Sequence, residues 1–439
     1  MKVFRNISLI LITLVYVSCS DTSEEQLIGD WQRRTVYPYS GLAHPATFVI
    51  GNTGYVVGGF NNVNPPETRV VSFNPDGSGS WNDRLRDHHP DMAPRQQAVG
   101  FALTTGGKTY GFVGTGWIWT RIERESRDDA ATSNDFWRYD PAKEGSDDAW
   151  EEVAPLPGPP RRGAFVFSLT VDNKEYGFVG GGFTDRHGFD FNLEPDDDAD
   201  APQNYFSTDR RNEYLNDLWR YNPEGTTSVK RVVDGTIEEK NLPGSWEPVA
   251  NIPFNKRFGA VAFVIGNKAY ICNGENPNLV NDFYVFNPNR ESLEPLRDPN
   301  GASLTDADGR PRIWWQLRTM NKVHPDDSYD EEYRPLGRSL GVSFVADVPE
   351  RNNRPTGHVV GGRQATASTN WEYDEDEDLW TQRTRYINNS WAQNRAGMIS
   401  FSFPSGRAFV GLGHSGTQYF DEMWEFSPRI EDDIYSDMQ

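Results

Sequence analysis

Cysteine is nearly absent from this 439-residue chain: there are two, Cys19 and Cys272. Cys19 lies in a leader-like segment, so no pair remains for an internal disulfide, and packing and hydrogen bonds must hold the fold. Cys272 sits inside an apolar run and reads as a buried, inert thiol. Positive charge is scarce as well. Against 43 lysines and arginines stand 64 aspartates and glutamates, a net charge of −21. That balance excludes a nucleic-acid binder, whose phosphate contacts demand basic surface, and excludes broad docking on anionic lipid. Residues 7–17, ISLILITLVYV, are apolar but fall well short of the ~20 residues of a membrane-spanning helix. The seven histidines show no metal-ligand spacing, and no glycine-rich loop opens a helix, so no cofactor is implied.

What the chain does have is repetition. A segment ending in an aromatic, usually followed by proline, recurs six times: TRVVSFNP (68–75), NDFWRYDP (134–141), NDLWRYNP (216–223), NDFYVFNP (281–288), TNWEYDED (369–376) and DEMWEFSP (421–428). Upstream of each, an aromatic or β-branched run leads into glycine: YVVGGF (55–60), YGFVGTG (110–116), YGFVGGG (176–182), YICNGE (270–275), HVVGGR (358–363) and FVGLGH (409–414). Five copies are followed by a tryptophan, Trp81, Trp150, Trp246, Trp315 and Trp380; the sixth has its counterpart at the other end of the chain, Trp31. Short alternating segments bounded by Gly, Pro, Asn and Asp predict four strands per unit. Such self-similarity predicts a propeller of six blades, with the tryptophans packed between blades. GDWQRRTVYP (29–38) supplies the outer strand that the last blade lacks, which closes the ring without a long free edge.

The glycine pair, the aromatic after it and the later tryptophan resemble kelch repeats over nearly the whole chain, which implies an all-β, six-bladed kelch-type β-propeller spanning residues 29–428. Kelch propellers include adaptors, oxidases and sugar epimerases, so the fold alone does not name a function. Oxidases of the galactose-oxidase type need a cysteine crosslinked to tyrosine, and Cys272 lies mid-strand.

Residues 1–18 read as a signal peptide, with a positive MKVFR start and an apolar run. Ser18-Cys19 resembles the bacterial lipobox, which implies lipidation of Cys19, an acidic tether over 19–28, and residence at the outer membrane, cell-surface or periplasm-facing. Residues 429–439 form an acidic tail. Membrane contact would be through the anchor alone. The Asp-rich runs at 195–200 and 306–309 lack calcium-loop spacing, and no metal site is expected.

Aligned on the inner-strand phenylalanines, five repeats carry an arginine at one position, Arg95, Arg161, Arg257, Arg338 and Arg395, where the first has Leu42. Ring geometry should gather these around the axis. Clustered guanidinium groups need a negative partner, either protein carboxylates or a ligand: an anionic small molecule, a glycan, an acidic peptide or an envelope partner protein. In kelch adaptors that capture acidic peptides, matching arginines contact the ligand. Insertions at 117–133, 184–214 and 316–337 fall on the same face. Glu275, in NGEN, resembles the acid–base glutamate of bacterial sialic acid mutarotases. In that family an arginine follows within a few residues; here 276–282 holds none, leaving Arg257 or Arg338 as substitutes. Glu275 could equally neutralise the arginines. The sequence thus favours a binding or scaffold lipoprotein, with a sugar mutarotase or epimerase using Glu275 as the alternative.

Overall fold

The computed structural model describes residues 28–431 except 86, 123–126, 193–205, 208–211, 234–235, 250–252, 289–313, 317–335, 349–353, 364–368, 377 and 385–393. The signal peptide, Cys19, nearly all of the tether, most of the 316–337 insertion and residues 432–439 lie outside the described residues. The fold is all-β, with no α-helix among the described residues.

Six four-stranded antiparallel sheets follow one another along the chain. Each runs from an inner strand outward. The first comprises Ala46–Ile50, Thr53–Val57, Val70–Asn74 and Ser80–Asn82. The second comprises Val99–Thr105, Lys108–Gly114, Phe136–Tyr139 and Trp150–Val153. The third has Phe165–Val171, Lys174–Gly180, Leu218–Val233 and Thr236–Pro248. The fourth has Val261–Ile265, Lys268–Cys272, Phe283–Phe286 and Trp314–Gln316. The fifth has Val342–Val348, Arg354–Val360, Asn370–Asp374 and Leu379–Arg383. The sixth has Ile399–Ser402, Ala408–Gly411 and Glu422–Glu431, with the N-terminal Ile28–Val36 as its outermost strand. Each inner strand touches the next, and the last touches the first.

Two sequence features explain how the sheets stack. The inner-strand phenylalanine of one sheet lies against a glycine in the second strand of the next: a Cβ on Gly111 would run into the Phe48 ring, one on Gly177 into Phe101, and one on Gly357 into Phe263. That is why YGFVG carries a mid-strand glycine. Each motif aromatic faces a tryptophan across the outer strand pair, Phe73 with Trp81, Tyr139 with Trp150, Tyr221 with Trp246, Tyr373 with Trp380 and Phe426 with Trp31. In the fourth sheet Trp314, rather than Trp315, stands opposite Phe286. The tryptophans also reach the preceding sheet, as Trp246 does with Phe136 at 5.0 Å and Trp380 with Phe283 at 5.2 Å.

The glycine pairs form a left-handed turn repeated six times. The first residue has φ of 56–68°, and accepts Thr115, Asn273 and Leu412; the second has φ of 88–103° and is Gly in every copy. Only glycine tolerates the second geometry, so GTG, NGE and GLG are working variants of the same turn.

The outer two strands of the third sheet run on well past the others as a long ribbon through segment 224–245. Its Arg231 reaches the Phe191 carbonyl at 2.9 Å and Glu152 of the second sheet's outer strand at 2.9 Å. The ribbon therefore folds back along that edge.

Candidate functional site

The five aligned arginines are interior staples. Arg95, Arg161, Arg257 and Arg338 have 0% of their surface exposed and Arg395 has 6%. Arg95 holds both oxygens of Asp135 at 2.9 and 2.7 Å, Arg161 those of Asp217 at 2.5 and 2.6 Å, and Arg257 those of Asp282 at 2.6 and 2.7 Å. Arg395 pairs with Glu422 at 3.0 Å, its guanidinium 3.5 Å from the Phe420 ring. Arg338 donates to the Gly361 and Thr369 carbonyls and to the Thr369 hydroxyl. Arg95, Arg161, Arg257 and Arg338 each tie the lead-in of an inner strand to a glycine turn and to the start of a third strand, and Arg395 ties its lead-in to the start of the last third strand. Of the two partners left open by the sequence, protein groups occupy the place. With no surface to offer, these arginines do not line a ligand face. The aspartates of NDF, NDL and NDF were the legible sign of this, since they recur in step with the arginines.

Burial alone would raise the Asp135 and Asp217 carboxyls, but the guanidinium beside each, Arg95 and Arg161, holds both below the usual carboxylate range. A folded-state value below the unfolded one adds stability that is complete above the unfolded value of about 4 and is lost as pH falls through the folded one. Thermal midpoints should therefore drop below pH 4, and Asp135→Asn should flatten that drop.

The groups that do gather at the axis stand one residue further along. Six isolated or short pairings join the residue after each arginine, or after Leu42 in the first repeat, to the residue after each glycine pair: Ala43–Phe60, Gln96–Trp117, Arg162–Phe183, Phe258–Glu275, Ser339–Arg363 and Ala396–His414. Beneath them runs a circuit of backbone hydrogen bonds at 2.8–3.1 Å, from His44 to Gly397 to Leu340 to Gly259 to Gly163 to Gln97 and back to His44. It surrounds a cavity of about 120 Å³. All six circuit residues have φ of 53–65°, which turns their amides inward along the ring.

Glu275 is buried at this mouth, but its partner is neither Arg257 nor Arg338. It accepts from Arg363 NH2 at 2.8 and 2.9 Å and from the Ser339 hydroxyl at 2.7 Å. Arg363 comes from the next sheet, and 48% of its side chain is exposed. It was legible in HVVGGR, where it follows the glycine pair as Glu275 follows Asn273-Gly274. Arg162 completes the charged set. It donates to Asp185 at 2.9 Å and to Gln97 at 2.8 Å, with its guanidinium 5.1 Å from the rings of Trp117, Phe183 and Phe258. Across the mouth, His44 and His414 meet at 3.2 Å between their Nε2 atoms. His414 stacks on Tyr419, which lies against Phe60. The mouth thus alternates ion pairs with aromatic faces, a surface suited to a small polar ligand.

The 117–133 insertion forms a hairpin, Trp117–Ile122 with Arg127–Ser133, in an accessory sheet with Arg95–Gln96, Gly188–Phe189 and Phe206–Ser207. It begins at Trp117, which pairs with Gln96 at the mouth.

Among solved structures, the chain is similar to the protein in "Structure of YjhT", with 14% identity, a TM-score of 0.54, and coverage of 89% of this chain and 96% of that one. At this identity the likeness speaks for the fold alone, a distant kelch-like β-propeller relationship. No family model and no curated protein matches the chain.

Proposed function

We propose that the protein is a lipid-anchored lipoprotein of the bacterial envelope that binds a small anionic, hydroxylated ligand at its axial mouth. In this reading the six sheets are the blades of a closed kelch-type propeller, the ring sealed by the N-terminal strand. The observation that carries it is the partial engagement of Arg162 and Arg363. Among the described residues, Arg363 uses only NH2, for Glu275, and Arg162 uses Nε and NH1. Each keeps a guanidinium edge for a carboxylate, already oriented by the groups that hold it. Ile28 pairs with Glu431 and Val36 with Glu422, so the chain enters on the side away from the mouth. A lipid on Cys19 would leave the mouth facing outward.

A second reading, mutarotation of an acidic sugar, is favoured by the Glu275–Arg363 contact. Glu275 would take the proton of the anomeric hydroxyl and deliver that same proton to the ring oxygen as the ring C–O bond breaks to the open keto form; on reclosure at the other face it takes the proton back from that hydroxyl and returns it to the new anomeric oxygen. Arg363 would hold the substrate carboxylate.

N-acetylneuraminate serves as the probe. Saturable binding, weakened roughly tenfold (about 1.4 kcal/mol) in Arg363→Ala, is expected. Its absence in the wild type ends the ligand reading. Exchange NMR on the anomers separates the two: catalysis predicts acceleration by the wild type and a loss of about 10²–10⁴-fold in Glu275→Gln. Binding without acceleration leaves the non-catalytic reading.

A further inference from the structure

We propose that His44 and His414 form the protein half of a zinc site at the axial mouth, its remaining positions taken by water or ligand oxygens. The two residues are 370 positions apart in sequence, which is why their spacing carried no metal signature. His44 belongs to the lead-in of the first sheet and His414 to the sixth, so they meet only where the chain's ends close on each other.

The geometry is that of two ligands on one ion. Zinc takes imidazole nitrogen at about 2.0–2.1 Å in a tetrahedral arrangement, which sets two such nitrogens about 3.3 Å apart. The Nε2 atoms here are 3.2 Å apart. The His414 ring is held as metal ligands are usually held. His414 Nδ1 lies 3.1 Å from the Gly416 carbonyl oxygen. A carbonyl can only accept, so Nδ1 carries the hydrogen and Nε2 turns its lone pair toward His44. That outer contact to a backbone carbonyl is the one that metal-bound histidines commonly make. Stacking on Tyr419 at 5.3 Å fixes the His414 ring. The His44 ring lies over Gly397, where any side chain would collide with it. Without metal, His44 Nε2–H donates to His414. Binding needs that hydrogen to move to Nδ1, so that neutral His44 offers its Nε2 lone pair, and nothing is oxidised or reduced.

Arg162 and Arg363 act electrostatically on His44. The same arginines would oppose a dication if they stood alone. Each is bonded to a carboxylate, Arg162 to Asp185 at 2.9 Å and Arg363 to Glu275 at 2.8 Å, so the ion would sit beside two ion pairs. No group of three or more His, Cys, Asp or Glu is arranged for a metal among the described residues. Two protein ligands would give an open and weak site, its other positions left to water or ligand oxygens. This inference is independent of the sugar-acid reading.

Zinc titration calorimetry on the tag-free full chain in detergent, with visible spectra of the cobalt-substituted protein, tests it. The variants follow the molecule's own repeats: His44→Gln, because Gln97 holds the equivalent place at φ 53°, and His414→Phe, because Phe60 and Phe183 do. One-site zinc binding is expected in the wild type, weakened roughly tenfold or more in each variant, with an intense tetrahedral cobalt band in the wild type alone. No saturable zinc binding by the wild type overturns the proposal. So does equal affinity in a folded His414→Phe variant.

Discussion

Asp135→Ala should lower the stability of the protein by about 3–5 kcal/mol, the usual effect of removing one partner of a buried ion pair. Arg95 would then be a guanidinium with no exposed surface whose carboxylate is gone. Its bonds to the Ala93 and Thr115 carbonyls remain, but they neutralise no charge. Denaturant midpoints should show the loss. Arg95→Leu added to Asp135→Ala should restore part of it, because the first repeat already places Leu42, fully packed, where the others place arginine. By the same reasoning, Arg257→Ala combined with Arg338→Ala should fail to fold stably, rather than fold and lose a ligand. Arg363→Ala is the contrast: this side chain is half-exposed and Glu275 keeps the Ser339 hydroxyl, so a clearly smaller loss than for Asp135→Ala is expected. A stable, fully folded Asp135→Ala protein would mean that the staples are dispensable.

The repeat, the strand order within each sheet and the pairing of the N-terminal segment with the last strand were all legible, because glycine, aromatic and tryptophan positions recur at fixed steps. The place of the arginines was legible; their direction was not. A one-residue step along a chain entering the axis turns the side chain from the interior to the mouth. Arg161 is thus buried against Asp217 while Arg162 faces the axis. Burial depends on what neighbouring sheets bring, and a single repeat carries no sign of it. The Glu275–Arg363 and His44–His414 contacts join different sheets in the same way. Alignment of the residues after the glycine pairs would have shown Phe60, Trp117, Phe183, Glu275, Arg363 and His414 as a ring. The distances among their side chains come only with the fold.

Trp31→Ala should be nearly as damaging as the loss of a staple, at about 3–5 kcal/mol for a large buried aromatic. Trp31 is 2% exposed, packed between Phe344 at 5.9 Å and Phe426 at 4.8 Å, with its indole N–H on the Thr384 carbonyl. The strand that carries it joins residues some 390 positions apart, as in the Arg34–Glu425 contact at 2.7 Å. Arg407 extends this seam from Glu425 to the Gly77 carbonyl in the first sheet. If the strand closes the ring, its loss loosens every sheet. Amide protons of the axial circuit, far from Trp31, should then exchange faster in Trp31→Ala, together with those of residues 28–36. If the strand is only an addition to the sixth sheet, exchange should quicken in residues 28–36 alone while the midpoint holds. The circuit from His44 to Gly397 crosses the same seam, so its amides read closure directly.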